Sequence, residues 1–165
     1  MNQNNLDVIL KKIKSYNDIE SELARWRFLS RKIVFTNGCF DVLHRGHVEY
    51  LAKAAELGDV LCIGLNSDSS VKKLKGLARP LNDQLSRAIV LAALSFVTCV
   101  ISFDEETPIN LINIVQPDVL VKGGDYVPEK IVGYDVVKKK GGKVITIPLV
   151  KGFSTTSIIN KLQDE

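Results

Sequence analysis

Continuous apolar strands alternating with amphipathic helices predict an α/β protein built on a doubly wound sheet of five parallel strands, with helices on both faces. Runs such as Ile33-Val34-Phe35 and Val60-Leu61-Cys62-Ile63 are apolar at every position, so both faces of these strands need cover. Each run ends in turn residues, and apolar residues at helical spacing follow. Right-handed crossovers, the rule for such connections, then wind helices onto both faces.

Residues 1–29 read as a helical arm and 30–165 as the domain proper. In the arm Leu6, Ile9, Leu10 and Ile13, then Ile19, Leu23 and Trp26, keep helical spacing, with Asn17 or Asp18 starting the second helix. The arm is expected to be a packing or dimer element. Strand Ile33–Phe35 stops at the turn pair Asn37-Gly38, and a helix carries Val48, Leu51, Ala52 and Ala55. Gly58-Asp59 closes it before the strand Val60–Leu65. A cap-rich turn, Asn66 to Ser70, leads into a basic loop, Val71 to Pro80. Asn82 or Asp83 then caps a helix with Leu85, Ala88, Ile89, Ala92 and Ala93 on its apolar face. A third strand runs from Thr98 to Ser102, and Thr107-Pro108 opens a helix to Val115. The fourth strand, Val119 to Lys122, ends at Gly123-Gly124-Asp125-Tyr126. A helix from Glu129 to Lys140 is closed by Gly141-Gly142, the fifth strand runs from Lys143 to Pro148, and a short last helix begins in Gly152 to Ser157.

At 165 residues the chain is long enough for one domain with a substantial core. The net charge of +3 is spread through interspersed acids and bases, so by itself it says nothing about nucleic acid. Lys138-Lys139-Lys140 with Lys143 reads as a solvated helix end, a phosphate-binding patch being the competing account. Cys62 and Cys99 sit in apolar strands as buried thiols, and Cys39 lies in a loop with no base beside it. No C-x-x-C pair, signal peptide or membrane span is visible, which fits a reducing cytoplasm.

Chemistry concentrates between Thr36 and His47. Both histidines of the chain, His44 and His47, fall here, three positions apart and so on one side of a first helical turn. That turn offers unpaired N–H groups and the positive end of the helix dipole, a setting suited to phosphate. Gly46 between them lets a ligand approach the backbone. Half a zinc site, or histidines without a role, are the competing readings, though no Cys–His cluster completes a ligand set. In an open α/β sheet the loops beyond the carboxyl ends of strands share one crevice. Here those are Asn37 to His47, Asn66 to Arg79, Lys122 to Tyr126 and Gly152 to Ser157. Their histidines, lysines, arginines, hydroxyls and glycines, with the carboxylates Asp41 and Asp68, make a polyphosphate site. No G-x-x-x-x-G-K-[ST], G-x-G-x-x-G or nucleophile triad is present, which leaves transfer at phosphorus by positioning and charge neutralisation.

The run Asn37-Gly38-Cys39-Phe40-Asp41-x-x-His44-x-Gly46-His47, with Phe153-Ser154-Thr155-Thr156-Ser157, resembles the nucleotidyltransferase superfamily that bears HxGH and ISTT-type motifs. Within it, Asn66-Ser67-Asp68, Leu74-Lys75-Gly76, Arg79-Pro80, Val121 to Tyr126 and Gly152 to Ile159 are similar to the adenylyltransferase part of bacterial ADP-heptose synthases, over about residues 30–163. In many bacteria that part is fused to a sugar kinase, and this chain resembles a stand-alone form. The resemblance implies a Rossmann-like nucleotidyltransferase sheet and AMP transfer from ATP, with Mg²⁺, to D-glycero-β-D-manno-heptose 1-phosphate. The partners so implied are small molecules and a second copy of the chain, with no nucleic acid and no membrane.

On that resemblance His44 and His47 would hold α- and β-phosphate oxygens, and Ser154, Thr155 and Thr156 the β and γ phosphates. Arg87 matches the family's phosphate-binding arginine, an exposed helix arginine being its plain reading. Lys72, Lys75 and Arg79 lie on a loop that either folds over substrate, with Lys75 in a catalytic role, or is simply solvated. Thr36, Asn37, Gly38 and Phe40 would border the nucleotide. Gly123, Gly124 and Asp125 would admit the adenine to the backbone unless they form a plain turn, with Lys122 reaching a phosphate. Asp41, Asn66, Asp68 and Tyr126 fall to the acceptor side, the two aspartates as partners of sugar hydroxyls or as structural hydrogen-bond partners rather than as bases. Lys151 stands where cytidylyltransferases often carry an arginine, and lacks its bidentate fork. Rival readings are cytidylyl transfer to glycerol 3-phosphate and a catalytically idle nucleotide-binding subunit. A tRNA-synthetase fragment would need a K-M-S-K-S loop and an anticodon-binding module that the chain lacks.

Overall fold

In the computed structural model, which describes residues 4–124, 126–150 and 152–163, a parallel sheet forms the middle layer between two sets of helices. Among the described residues the sheet has six strands: β1 (Ile13–Lys14), β2 (Ile33–Gly38), β3 (Val60–Asn66), β4 (Cys99–Phe103), β5 (Val119–Gly123) and β6 (Lys143–Ile147). The helices are α1 (Asn5–Leu10), α2 (Tyr16–Phe28), α3 (Arg45–Ala55), α4 (Asp68–Lys75), α5 (Gln84–Ala92), α6 (Ile109–Val115), a 3₁₀ turn (Pro128–Lys130), α7 (Tyr134–Lys139) and α8 (Thr155–Gln163).

The strand order is β1-β4-β3-β2-β5-β6. From β2 the chain steps outward through β3 to β4, then crosses back to lay β5 against the other side of β2. Order therefore reverses between β2 and β5, and a crevice opens beyond their carboxyl ends. The all-apolar strand runs earn their burial from both sides. Phe35, Cys62 and Ile101 face one core with Leu23 of α2, Leu111 of α6 and Val137 of α7. Val34, Ile63 and Val100 face the other with Leu51 of α3 and Leu91 of α5.

The five strands expected from the sequence become six because Ile13–Lys14 pairs with β4 at the sheet edge. Residues 13–28, read as an arm outside the sheet, supply that strand and put Ile19, Leu23 and Trp26 into the core. Helix α2 is capped two or three residues before the Asn17 or Asp18 expected to start it. Ser15 caps it, and Asp18, instead of being the cap, completes a reciprocal capping box from the third position. The basic segment expected as a loop begins with α4, capped by Ser67, so Lys72 and Lys75 are helical and only the later part is loop. The single helix expected from Glu129 to Lys140 is broken. Its first part is the 3₁₀ turn, and Gly133, at φ +91°, packs so closely on Ile112 that an added Cβ would lie 2.6 Å from that side chain. Of the two caps the sequence offers for α5, Asn82 or Asp83, it is Asp83 that serves, its carboxylate accepting from Ser86 N at 2.9 Å. No helix among the described residues is long and apolar enough to cross a membrane.

Candidate active site

The chain leaves β2 at Gly38, turns through Phe40 at φ +43°, and enters α3 behind His44. His44 is the N-cap residue of α3 but makes no capping bond, so first-turn N–H groups are left for a ligand. The two imidazoles stack with ring centroids 3.9 Å apart and planes 23° from parallel. Phe40 meets the His47 ring edge-on at 5.3 Å, and Phe153 lies 6.4 Å from His44. Gly46 makes this packing possible, since a Cβ there would fall 3.1 Å from both the His44 ring and Phe153 Cβ. Nδ1 of each ring is buried without a hydrogen-bond partner among the described residues. Burial lowers the pKa of His44, and burial followed by repulsion from His44 takes His47 down to about 4. Both are therefore neutral donors at neutral pH.

These rings border a cleft of about 750 Å³ that also receives the start of α8. The Thr155 hydroxyl donates to the Val42 carbonyl at 3.4 Å, fastening the Ser-Thr-Thr segment to the histidine loop. Ser154, Thr155 and Thr156 all line the cleft, and Ser154 Oγ caps α8 by accepting from Ser157 N at 3.0 Å. Segments more than a hundred residues apart in sequence thus share one rim. Asn37, Gly38, Phe40 and Asn66 line it as well, with Lys75, Arg79, Lys122 and Tyr126 on its walls. Lys122 Nζ donates to Asn37 Oδ1 at 3.2 Å, and burial lowers its pKa.

Several residues expected at the site are committed elsewhere. Thr36 is fully buried, its hydroxyl 2.6 Å from that of Tyr50, and cannot border a nucleotide. Asp41 lines the cleft, but Oδ1 accepts from the N–H groups of Leu81 (2.7 Å) and Asn82 (3.1 Å), and Oδ2 pairs with Arg79 at 2.5 Å. Arg87, on α5, is buried. Its guanidinium donates to Asn82 O (3.0 Å), Cys39 O (2.6 Å) and Asp68 Oδ1 (2.7 Å), so it ties three segments together rather than lining the cleft. Asp68 is thereby engaged too. Lys72 is exposed and does not line the cleft. Gly123 and Gly124 are half-buried and do not line the cleft: an added Cβ on Gly123 would lie 2.9 Å from the Leu149 side chain, and Gly124 N–H donates to Ile147 O at 2.9 Å. Asp125 and Lys151 lie outside the described residues. Cys39 lines the cleft as a thiol, since burial raises its pKa, and it is no nucleophile at neutral pH.

Sequence reasoning missed the loop between β4 and α6. Glu106, Thr107 and Pro108 line the cleft from there, and Leu74 and Leu149 add apolar wall. The signal was present, because that loop also follows the carboxyl end of a strand.

A doubly wound sheet whose switch point carries stacked histidines and a hydroxyl-bearing helix start defines a nucleotide-handling domain of the HxGH type. The chain belongs to the cytidylyltransferase-like family, which matches residues 35–161. It is 55% identical over 153 residues to the bifunctional protein HldE of Campylobacter concisus, covering 93% of this chain and 31% of that protein. The HldE of Geobacter metallireducens is 58% identical over 144 residues, covering 87% and 29%. The chain thus spans about a third of the length of the curated relatives it matches. The crystal structure of the lipopolysaccharide core biosynthesis protein from Thermoplasma volcanium is similar at a TM-score of 0.58 and 28% identity, over 74% of this chain and 99% of that one.

Proposed function

We propose that the chain is a nucleotidyltransferase that moves AMP from ATP to D-glycero-β-D-manno-heptose 1-phosphate, giving ADP-heptose and pyrophosphate. The observation that carries this reading is the shared rim on which the His44–His47 stack meets the Ser154–Thr156 helix start. A sugar-phosphate oxygen attacks the α-phosphorus in line. A new P–O bond forms, the bond to the bridging α–β oxygen breaks, and pyrophosphate leaves. The attacking phosphate is already anionic, so neither a protein base nor a protein nucleophile is required. His44 and His47 donate Nε2–H to the α- and β-phosphate oxygens, where charge grows in the transition state. Lys75, Arg79 and Lys122 supply positive charge, and the α3 and α8 N-termini supply N–H groups. Arg87 acts as a positioning residue through Cys39 O and Asp68.

Magnesium enters this reading with the nucleotide. No three His, Cys, Asp or Glu side chains gather as a metal cage among the described residues, and Mg²⁺ commonly keeps its waters and binds mainly to substrate phosphates. A homodimer in the cytoplasm completes the proposal. It is supported by the exposed apolar side chains Leu6, Val8 and Leu10 on α1, and light scattering reads the assembly.

Incubation with ATP·Mg and heptose 1-phosphate, followed by pyrophosphate release and mass detection of ADP-heptose, tests the reaction. Parallel incubations with CTP and glycerol 3-phosphate test the rival transfer. Turnover confined to the CTP arm rejects the heptose reading, and retention of full activity after replacing both histidines by alanine rejects the catalytic one.

A further inference from the structure

The acids around the cleft divide sharply by what already holds them. Asp41 is bound by Arg79 and two backbone N–H groups, and Asp68 by Arg87. In the loop after β4, Asp104 accepts from the hydroxyls of Ser67 and Ser69. Glu105 accepts from the Tyr16 phenol (3.4 Å), the Asn110 amide (3.2 Å) and Asp104 N (3.1 Å). Glu106, the third acid of that loop, lines the cleft and makes no hydrogen bond or ion pair with any described residue. Thr107 beside it also lines the cleft, and no described residue bonds to its hydroxyl.

Besides the paired Asp41 and Arg79, the other ionisable side chains that line the cleft are cations or neutral groups: Lys75, Lys122 (whose Nζ donates to Asn37 O at 3.5 Å and Oδ1 at 3.2 Å), Cys39, Tyr126 and the two histidines. An uncommitted carboxylate among them opposes phosphate binding if a phosphate lies next to it, and favours binding if hydroxyls do. Glu106 stands on the β4 side of the crevice, two strands from β2, while Tyr126 and Leu149 line the β5–β6 side. A carboxylate has two oxygens and accepts from both members of a vicinal diol, which no cation in the cleft can do.

We propose that Glu106, assisted by Thr107, determines acceptor specificity by accepting hydrogen bonds from hydroxyls of the sugar carried by the acceptor phosphate. This rests on the sugar-phosphate reading above, and it moves sugar-hydroxyl recognition from Asp41 and Asp68 to the loop after β4. The side chain touches substrate without taking part in bond making.

The test is steady-state kinetics of the wild-type chain, Glu106→Gln and Glu106→Asp with heptose 1-phosphate and ATP·Mg, with calorimetric binding of heptose 1-phosphate alongside. Glu106→Gln keeps the shape and removes the charge. Its KM for the sugar phosphate should rise about 10- to 100-fold, the scale of lost charge-assisted hydrogen bonds, with the KM for ATP, the Mg²⁺ requirement and the melting temperature unchanged. Glu106→Asp should recover part of the loss. An unchanged acceptor KM in an active wild-type background overturns the assignment while leaving the reaction standing. A change confined to ATP or Mg²⁺ overturns it too, since the carboxylate then serves the nucleotide. A wild-type chain without turnover on heptose 1-phosphate removes the reaction itself and this proposal with it.

Discussion

Arg87 offers the sharpest test of how the site is held, because its sequence context and its position assign it different work. On a phosphate-binding reading the guanidinium meets the triphosphate. In the fold its side chain has no exposed surface and makes three bonds, to Asn82 O, Cys39 O and Asp68 Oδ1. Replacement by methionine fills much of the volume and removes all three. Asp68 is 39% exposed and regains water, but the two carbonyls lose a charged donor close to the core. Loss of one partner from such an arrangement costs about 3–5 kcal/mol. At about 3 °C per kcal/mol for a chain of this length, the melting temperature should fall by about 9–15 °C. Arg87→Lys keeps the charge, reaches one or two of the three acceptors, and should fall by roughly half as much. Calorimetry of unfolding measures both, and ATP binding at a temperature where the variants stay folded separates architecture from contact. If Arg87→Met melts within about 3 °C of the parent, a loss of only 1 kcal/mol, and yet no longer binds ATP, the guanidinium belongs to the phosphate site and the structural reading is wrong.

Two further outcomes follow from buried polar groups. Thr36→Val leaves the Tyr50 phenol, whose pKa burial raises to about 12, without its 2.6 Å partner. Denaturant titration should show a loss of about 1–3 kcal/mol, with the KM for ATP unchanged because Thr36 does not reach the cleft. The histidines govern the acid side. His47 titrates at about 4 in the folded chain and near its ordinary value when unfolded, so the unfolded state binds more protons between those limits. Stability should therefore fall as pH drops from about 6.5 toward 4, and His47→Gln should flatten that slope in denaturant midpoints measured across the window. Binding of an anionic triphosphate favours the protonated rings, so calorimetry near pH 6 in buffers of different ionisation enthalpy should register net proton uptake.

What was legible in the sequence was what short-range chemistry decides. Ile33–Phe35 and Val60–Leu65 declared themselves as strands because no position in them tolerates water, and Asp83 declared α5 because its carboxylate serves a backbone three residues away. The pairing of His44 with His47 was legible because a spacing of three across a helix start brings the cap residue beside the third helical position. What failed depends on distant partners. Ile13–Lys14 is a strand only because β4 lies beside it, and two residues carry no periodicity. The run Asp68–Lys75 reads as polar loop until Ser67 caps it and Val71 finds the core. The commitments of Asp41, Asp68 and Arg87 include ties across 19 to 48 residues, and a chain of letters names an ionisable group without naming what neutralises it.

Those commitments also explain where the cleft gets its charge. Two imidazolium rings 3.9 Å apart would repel by about 4 kcal/mol at the effective dielectric of a protein surface, so the stack favours neutrality while the cleft is empty. The standing positive potential must come from Lys75, Arg79 and Lys122, of which Arg79 is already balanced by Asp41. Ground-state attraction for ATP is correspondingly restrained. The histidines contribute most where negative charge accumulates on oxygens within their reach, because only an anion lifts the penalty on protonating or fully polarising them. On the proposed reaction the bound triphosphate already draws part of that response, and the histidines accelerate transfer only by as much more as the transition state and the departing pyrophosphate draw.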